Sequence, residues 1–272
     1  MPMSDFPDLY AFVLQLYPLE RDVTLRAQGH GAQALFLDLV RQVDPVTSER
    51  LHADAASKPY TVALLPGRRR DRVELRVSLL QSELFQTFVH ALLRQMPGEA
   101  PLRLGQASLQ LGDVIGTPAP KGHLWAGYSA FSELHMRAEA THTLQLEFAT
   151  PTAIGQGSRP DGRQRLGILP DPALVFPSLA RRWNELAPAS VQLDATAVRE
   201  AAGDTLITRY HSASAEINLG KGPQKGFVGM VSYELPLDPS QARLIALLAD
   251  AALFLGVGMK TTRGMGLCRR RI

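Results

Sequence analysis

This sequence of 272 residues has one cysteine, no long apolar run and little net charge. The single cysteine, Cys268, excludes an internal disulfide and a cysteine-based zinc site, and it fits a reducing cytosol. No segment has the uninterrupted apolar length of a membrane span, and residues 1–7 lack the layout of a secretory signal. We therefore expect a cytoplasmic protein that does not associate with a membrane.

The charge balance is mild, with 29 basic and 26 acidic residues, a net charge of +3 and a sequence pI near 9.2. Such a balance permits nucleic-acid binding without requiring it. Whether the protein binds nucleic acid must therefore be judged from where its cations lie. The acidic residues are scattered, without the close cluster of a two-metal nuclease, and neither His-x-Glu nor Cys-x-x-Cys occurs. We therefore predict no metal and no cofactor. A hydrophobic content of 45% is ample for a packed core.

Two periodicities alternate in the first half of the chain. The clearest strand is 71–80, where apolar residues at every second position predict one buried and one solvated face. Helical spacing marks two helices, one from 32 to just before Pro45 and one capped by Ser82 and running to about 95. The remaining predicted elements are strands at 9–17, 59–65 and 102–114 and a short helix or turn at 48–54. The order strand, helix, strand, strand, helix, strand is the ferredoxin-like arrangement.

The second half repeats this order with additions. A strand at 143–149 is followed by a polar, exposed loop or hairpin tip at 155–165 and by helices at 172–186 and 196–202. Two strands joined by a turn at 220–225, a long helix and an edge strand at 267–272 complete it. With a linker at 116–122, we predict an α+β fold of two tandem ferredoxin-like (βαββαβ) domains packed side by side, residues 1–116 and 117–272.

Two Gly-x-Gly pairs lie near the C-terminus, separated by five residues that include Lys260 and Arg263. The pairs are Gly256 with Gly258 and Gly264 with Gly266. They follow a helix, which Asp238 caps and which ends where Gly256 suits a left-handed C-cap. Because the glycines do not open a helix, the dinucleotide fingerprint and a helix-dipole phosphate site are both excluded. We expect loop amides and the two cations to approach an anionic chain closely; the alternative is a C-cap followed by a glycine-kinked strand.

This glycine-rich stretch resembles the signature loop of the CRISPR repeat-processing endoribonucleases, which belong to the RAMP superfamily of RNA-binding proteins. Segments 226–235 and 148–152, together with Leu51-His52, extend the resemblance over nearly the whole chain. The resemblance implies a prokaryotic cytoplasmic enzyme that binds CRISPR repeat RNA, as precursor and as mature guide. It implies metal-independent cleavage within the repeat, leaving 2′,3′-cyclic phosphate and 5′-hydroxyl ends. Effector-complex subunits and a homodimer are further partners that it suggests.

Metal-free RNA cleavage needs a base for the 2′-hydroxyl, an acid for the departing 5′-oxygen and cations for the developing charge. A histidine titrates in the right range for either proton transfer. In the family that this chain resembles, the catalytic histidine lies between the first helix and the second strand, which corresponds to His52. Some members of that family also place an active-site lysine six residues further, which corresponds to Lys58. By composition alone, a histidine in a loop is usually a bystander.

One family feature is missing, because Leu37 stands where some relatives have a tyrosine on the first helix. Either that role is dispensable, or His30 or Gln33 takes it. His30 lies between Gly29 and Gly31, a flexible setting from which a side chain reaches a site, although an exposed turn histidine is the simpler interpretation. His90, among apolar helical residues, is expected to be partly buried packing.

RNA-binding cations are expected in the glycine-rich loop and in three other polar segments. Besides Lys260 and Arg263, the candidates are Arg159, Arg163, Arg165, Lys221, Lys225 and residues Arg68 to Arg70. Each cluster taken singly is typical of a solvated surface, and so is the terminal run 269–271. Two other functions stay open at this point. One is a non-catalytic guide-RNA-binding subunit of an effector complex, and the other is a ferredoxin-like metabolic enzyme or small-molecule binder.

Overall fold

The computed structural model describes residues 7–20, 29–53, 57–65, 71–95, 101–220 and 222–271, with the side chains of residues 29 and 30 left out. The chain forms two compact units. The first comprises Met1–Ser129, Asn218–Gly222 and Thr262–Gly264, and the second comprises Ala130–Ile217, Pro223–Thr261 and Met265–Ile272. Residues 117–129 thus group with the first unit, and the domain limits 1–116 and 117–272 stay a prediction.

The first unit is an antiparallel sheet with three helices. Its elements are β1 (Leu9–Pro18), α1 (Gly29–Arg41), α2 (Pro45–His52), β2 (Tyr60–Leu64), β3 (Val73–Leu79), α3 (Ser82–Arg94), β4 (Leu102–Leu104), β5 (Ala107–Ile115) and β6 (Gly127–Ser129). The strand order is β2-β3-β1-β5-β4, and β6 pairs with β1. Strands β2, β3, β1 and β5 therefore reproduce the predicted ferredoxin-like order, to which β4 and β6 are additions.

The alternation in β3 accounts for the core of this unit. Val73, Leu75, Val77 and Leu79 join the buried cluster beneath α1 and α3. The other face of β3 was expected to be solvated, and that prediction is wrong, because Arg76 and Ser78 are fully buried. The Arg76 guanidinium donates to the Trp125 carbonyl (3.3 Å) and to the Thr61 hydroxyl (2.9 Å). A segment far along the chain therefore covers this face.

Two further predictions for this unit are corrected. The strand expected at 102–114 is a hairpin, in which Leu104 pairs with Ala107 around Gly105 at φ +62°. Glycine adopts that positive φ without steric cost, so the chain reverses there. Ser82 does not cap α3 but is its first residue, after Gln81, which makes no side-chain capping bond. α1 begins at Gly29, three residues earlier than expected.

The second unit is a four-stranded antiparallel sheet with helices and one separate hairpin. Its elements are α4 (Phe131–Arg137), β7 (Thr143–Thr152), β8 (Ile154–Ser158), β9 (Gln164–Gly167), α5 (Pro172–Leu186), α6 (Ala195–Gly203), β10 (Leu206–Asn218), β11 (Pro223–Glu234), α7 (Pro239–Leu255) and β12 (Cys268–Arg271). The order β10-β11-β7-β12 is again ferredoxin-like. β8 and β9 form the two-stranded hairpin expected around 155–165. The predicted α+β fold of tandem ferredoxin-like domains is thus confirmed.

Aspartates cap three helices of the second unit, the last of which leads to the C-terminal loop. Asp171, Asp194 and Asp238 cap α5, α6 and α7, each accepting backbone N–H groups of the first turn. A hydrogen bond from the Ser240 side chain holds the pKa of the Asp238 carboxyl below its usual value, and weaker contributions come from the backbone N–H groups of Gln241 and Ser240. Within the described residues, no helix is long and apolar enough to cross a membrane.

Candidate functional site

All four glycines of the C-terminal loop have positive φ: Gly256 at +66°, Gly258 at +78°, Gly264 at +94° and Gly266 at +71°. Space demands glycine as well. A Cβ on Gly258 would lie 2.3 Å from the Ala153 carbonyl oxygen, and one on Gly266 would lie 2.0 Å from that of Val257. The Gly-x-Gly pairs are therefore required by the packing of the loop against its own chain.

Several backbone amides of the loop are bonded within the protein. The N–H groups of Gly256 and Gly266 donate to the carbonyls of Ala252 (3.0 Å) and Pro151 (3.1 Å). Val257 donates to Gly266 (2.8 Å), and Met259 donates to Ala153 (2.9 Å). The expectation that these glycines bring their amides to an anion is corrected for Gly256 and Gly266, whose N–H groups are already bonded. An anion at Gly256 or Gly266 would therefore have to be held by side chains of the loop.

Both cations of the loop donate to the amide oxygen of a glutamine. The Lys260 ammonium donates to Gln224 Oε1 at 2.7 Å, and the backbone of Lys260 has φ +56°, which is unusual for a residue with a side chain. Arg263 ends a single 3₁₀ turn (Thr261–Arg263), is exposed, and its Nε donates to Gln33 Oε1 at 3.1 Å. A neutral amide orients the Arg263 guanidinium without cancelling its charge.

Gln33 links Arg263 to the interior of the first unit, to which both residues belong. Its side chain lies on α1, is only 9% exposed, and its Nε2 donates to the Tyr60 hydroxyl at 2.9 Å. Tyr60 is fully buried and stacks on Phe36, with ring centroids 4.5 Å apart. Residues Thr262–Gly264 belong to this same unit. Sequence reasoning named Gln33 but missed Tyr60, since a tyrosine at a strand start carries no local sign of such a partner.

His52 is exposed at the last position of α2. Asp44 begins this helix by accepting from the Thr47 N–H at 2.9 Å, and hydrogen bonds from the backbone and side chain of Thr47 hold the pKa of the Asp44 carboxyl below its usual value. Ser48 fastens α2 to α1 by donating its hydroxyl to the Leu37 carbonyl at 2.9 Å. The imidazole is therefore held at an anchored helix end, where it is exposed to solvent.

Lys58 contacts the backbone of His52, six residues earlier in the chain. Its ammonium donates to the backbone carbonyl of His52 at 3.1 Å. The contact places a positive charge at the backbone of the residue that carries the imidazole, and it uses neither ring nitrogen. An exposed imidazole can transfer a proton, and an ammonium bonded to the same residue's backbone can stabilise a developing phosphate charge.

Comparison with known proteins shows which family this chain matches. The model for "CRISPR-associated endoribonuclease Cas6" matches residues 146–268, and that for the "CRISPR Cas6 N-terminal domain" matches residues 8–74. A solved Cas6 product complex is 31% identical, with a TM-score of 0.83 over 97% of this chain and 100% of its own. The chain belongs to the Cas6 family.

Two further relatives have similar identity. Thermus thermophilus Cas6 is 27% identical, with a TM-score of 0.77 over 98% of this chain and 100% of its own. A curated Cas6 endoribonuclease of Mycobacterium tuberculosis is 28% identical over 253 residues, which are 91% of this chain and 76% of the relative. The family assignment predicted from the glycine-rich loop is thus confirmed.

Other predicted cations of this Cas6 protein lie on exposed hairpins. Arg159, Arg163 and Arg165 are exposed at and beside the tip of the β8–β9 hairpin, where Arg163 pairs with Asp161 (3.7 Å). Lys225 pairs with Glu216 (3.6 Å) across the β10–β11 hairpin. Lys221 and Arg68 to Arg70 lie outside the described residues, as does the side chain of His30. RNA binding by these residues stays a prediction.

The remaining histidine and arginine candidates have simpler roles. His90 is exposed on α3, so its expected partial burial is wrong. In the terminal run, Arg269 pairs with Glu147 (2.6 Å) and Arg270 with Asp250 (3.2 Å). Both cations are neutralised inside the second unit. Arg269 joins β12 to β7, and Arg270 joins β12 to α7. Among the described residues, no group of three His, Cys, Asp or Glu side chains forms a metal-binding cluster.

Proposed function

We propose that this Cas6 protein cleaves CRISPR precursor RNA within the repeat, without a metal ion, to release guide RNAs. Family membership makes it an endoribonuclease of CRISPR RNA processing; the chemistry and the repeat specificity are the proposal. The observation that carries it is the exposed His52 imidazole with the Lys58 ammonium bound to its backbone carbonyl. Among the similar structures, one is named a product complex and another a substrate mimic complex of Cas6.

The reaction is an internal transesterification. A base takes the proton of the 2′-hydroxyl, whose oxygen forms a bond to the adjacent phosphorus while the P–O5′ bond breaks. An acid returns a proton to the leaving 5′-oxygen, which gives 2′,3′-cyclic phosphate and 5′-hydroxyl ends. His52 performs one of these proton transfers, and Lys58 or Arg263 stabilises the charge on the phosphorane. The roles of His30 and of the hairpin arginines stay predictions, as do effector subunits and a homodimer.

The test is cleavage of the protein's own repeat RNA in EDTA by wild type, His52→Ala and His90→Ala. Loss of a positioned general acid or base typically slows a reaction about 10²–10⁴-fold, which is the drop expected for His52→Ala with repeat affinity retained. His90→Ala removes another exposed helical histidine and is expected to cut normally. Product ends are identified by phosphorylating the 5′-hydroxyl directly and by the mobility shift when acid opens the cyclic phosphate.

Three results would contradict the proposal. Normal cutting by His52→Ala removes that residue from the chemistry. Activity that EDTA abolishes makes the enzyme metal-dependent. Tight repeat binding by wild type without any cleavage supports instead the non-catalytic guide-RNA-binding subunit.

A further inference from the structure

We propose that Gln33 is a positioning residue, which presents the Arg263 guanidinium to a phosphate of the bound RNA. The inference rests on the proposed function for its substrate. It begins from the hydrogen-bonded series Arg263, Gln33, Tyr60, in which Nε of the arginine donates at 3.1 Å and the glutamine amide donates onward at 2.9 Å.

Chemistry fixes the direction of both bonds. Arginine has donors only, so the atom of Gln33 that faces Arg263 is the oxygen, and Nε2 must then donate to the Tyr60 hydroxyl. The amide cannot flip without placing two donors face to face. Tyr60 is itself held by full burial and by its stacking on Phe36. The acceptor for Arg263 is therefore preorganised by the interior of the first unit.

The bond engages only one side of the guanidinium. Nε is used, while the Nη1 and Nη2 groups carry the remaining N–H donors that suit two phosphate oxygens. Within the described part of the chain, no carboxylate lies within ion-pairing distance of Arg263, and the side chain is exposed. The cation thus keeps its full charge and a fixed orientation.

Two arginines shortly after Arg263 in the sequence have different partners from Arg263. Arg269 and Arg270 each meet a carboxylate, Glu147 at 2.6 Å and Asp250 at 3.2 Å. Arg263 meets a buried amide instead, at a helix of the unit that carries His52. Holding a long side chain in place before binding removes part of the entropy cost of ordering it on the RNA.

The test is a double-mutant cycle with Gln33→Met, Arg263→Ala and the double variant. Single-turnover cleavage and repeat affinity are both measured. We expect Arg263→Ala to lower each by roughly tenfold or more, as loss of a charged hydrogen-bonding group does. Gln33→Met is expected to lose several-fold, with no additional loss when Arg263 is already absent, because Gln33 acts only through it. Gln86→Met, an exposed glutamine on α3, is the matched control and is expected to match wild type.

Arg263→Lys keeps the inference testable if Gln33→Met fails to fold, since lysine retains the charge but lacks the Nε–H. It is expected to fold normally and to bind and cut nearly as poorly as Arg263→Ala. A Gln33→Met loss that persists undiminished without Arg263, or a fully active Arg263→Lys, overturns the inference. If wild type binds the repeat without cutting, the proposed function fails while the affinity cycle still decides the role of Gln33; absence of binding overturns both.

Discussion

Arginine side chains in this Cas6 protein divide by the acceptor that each one meets. Arg269 and Arg270 meet carboxylates, Arg263 meets an amide oxygen, and Arg76 is fully buried against a carbonyl and a hydroxyl. Burial lowers the pKa of Arg76 to about 9. Arginine therefore has three roles here: ion pairing within the second unit, hydrogen bonding in the buried interior, and a candidate contact with phosphate.

Arg76→Ala is expected to lower the free energy of unfolding by about 2–4 kcal/mol, because it leaves a cavity and two buried acceptors without their donor. Urea denaturation measures the change. Arg103→Ala, at an exposed position of β4, is the control and is expected to stay within about 0.5 kcal/mol of wild type. Equal stability of the two variants would show that Arg76 has no structural role.

At the scale of elements, the glycine-rich loop between α7 and β12 derives its shape from its own packing. Gly258 and Gly266 are required by carbonyls of Ala153 and Val257, and the Gly266 amide is bonded to Pro151. The loop is thus fastened to the end of β7, the segment 148–152 that also carried the family resemblance. That fastening sets the position of Lys260.

Gly266→Ala is expected to displace the loop and to lower both stability and repeat affinity. The added Cβ meets a backbone oxygen at 2.0 Å and also strains the positive φ, so a loss of about 2 kcal/mol or more is expected. Gly157→Ala has a similar φ of +84° but nothing within 4 Å of its Cβ. This control separates the backbone strain from the steric clash, and equal unfolding temperatures of the two variants would sink the explanation.

At the scale of the whole molecule, two ferredoxin-like units give one Cas6 chain of low net charge. A net charge of +3 provides little general attraction for RNA. Affinity is therefore expected to depend on individual cations, and Arg263 is one that meets no carboxylate in the part of the chain that the structure describes.

Repeat affinity is expected to fall linearly with salt on logarithmic axes, with a slope that decreases by about 0.7–0.9 for each phosphate contact removed. Arg263→Ala is expected to reduce the slope by one such contact. Arg137→Ala, which removes an exposed cation already paired with Glu133, is expected to leave it unchanged. Filter binding over a salt series measures both, and an unchanged slope for Arg263→Ala contradicts a phosphate contact.

The sequence by itself determined the family, the order of the helices and strands, and the candidates His52 and Lys58. Those features are written locally, in periodicity, capping residues and the spacing of glycines. Only the tertiary structure decided that β3 is buried on both faces and which cations are neutralised. Arg269 and Glu147 are 122 positions apart, and Arg263 and Gln33 are 230 apart. Partners at such separations meet only when the strands and helices have packed, so no local pattern announces them.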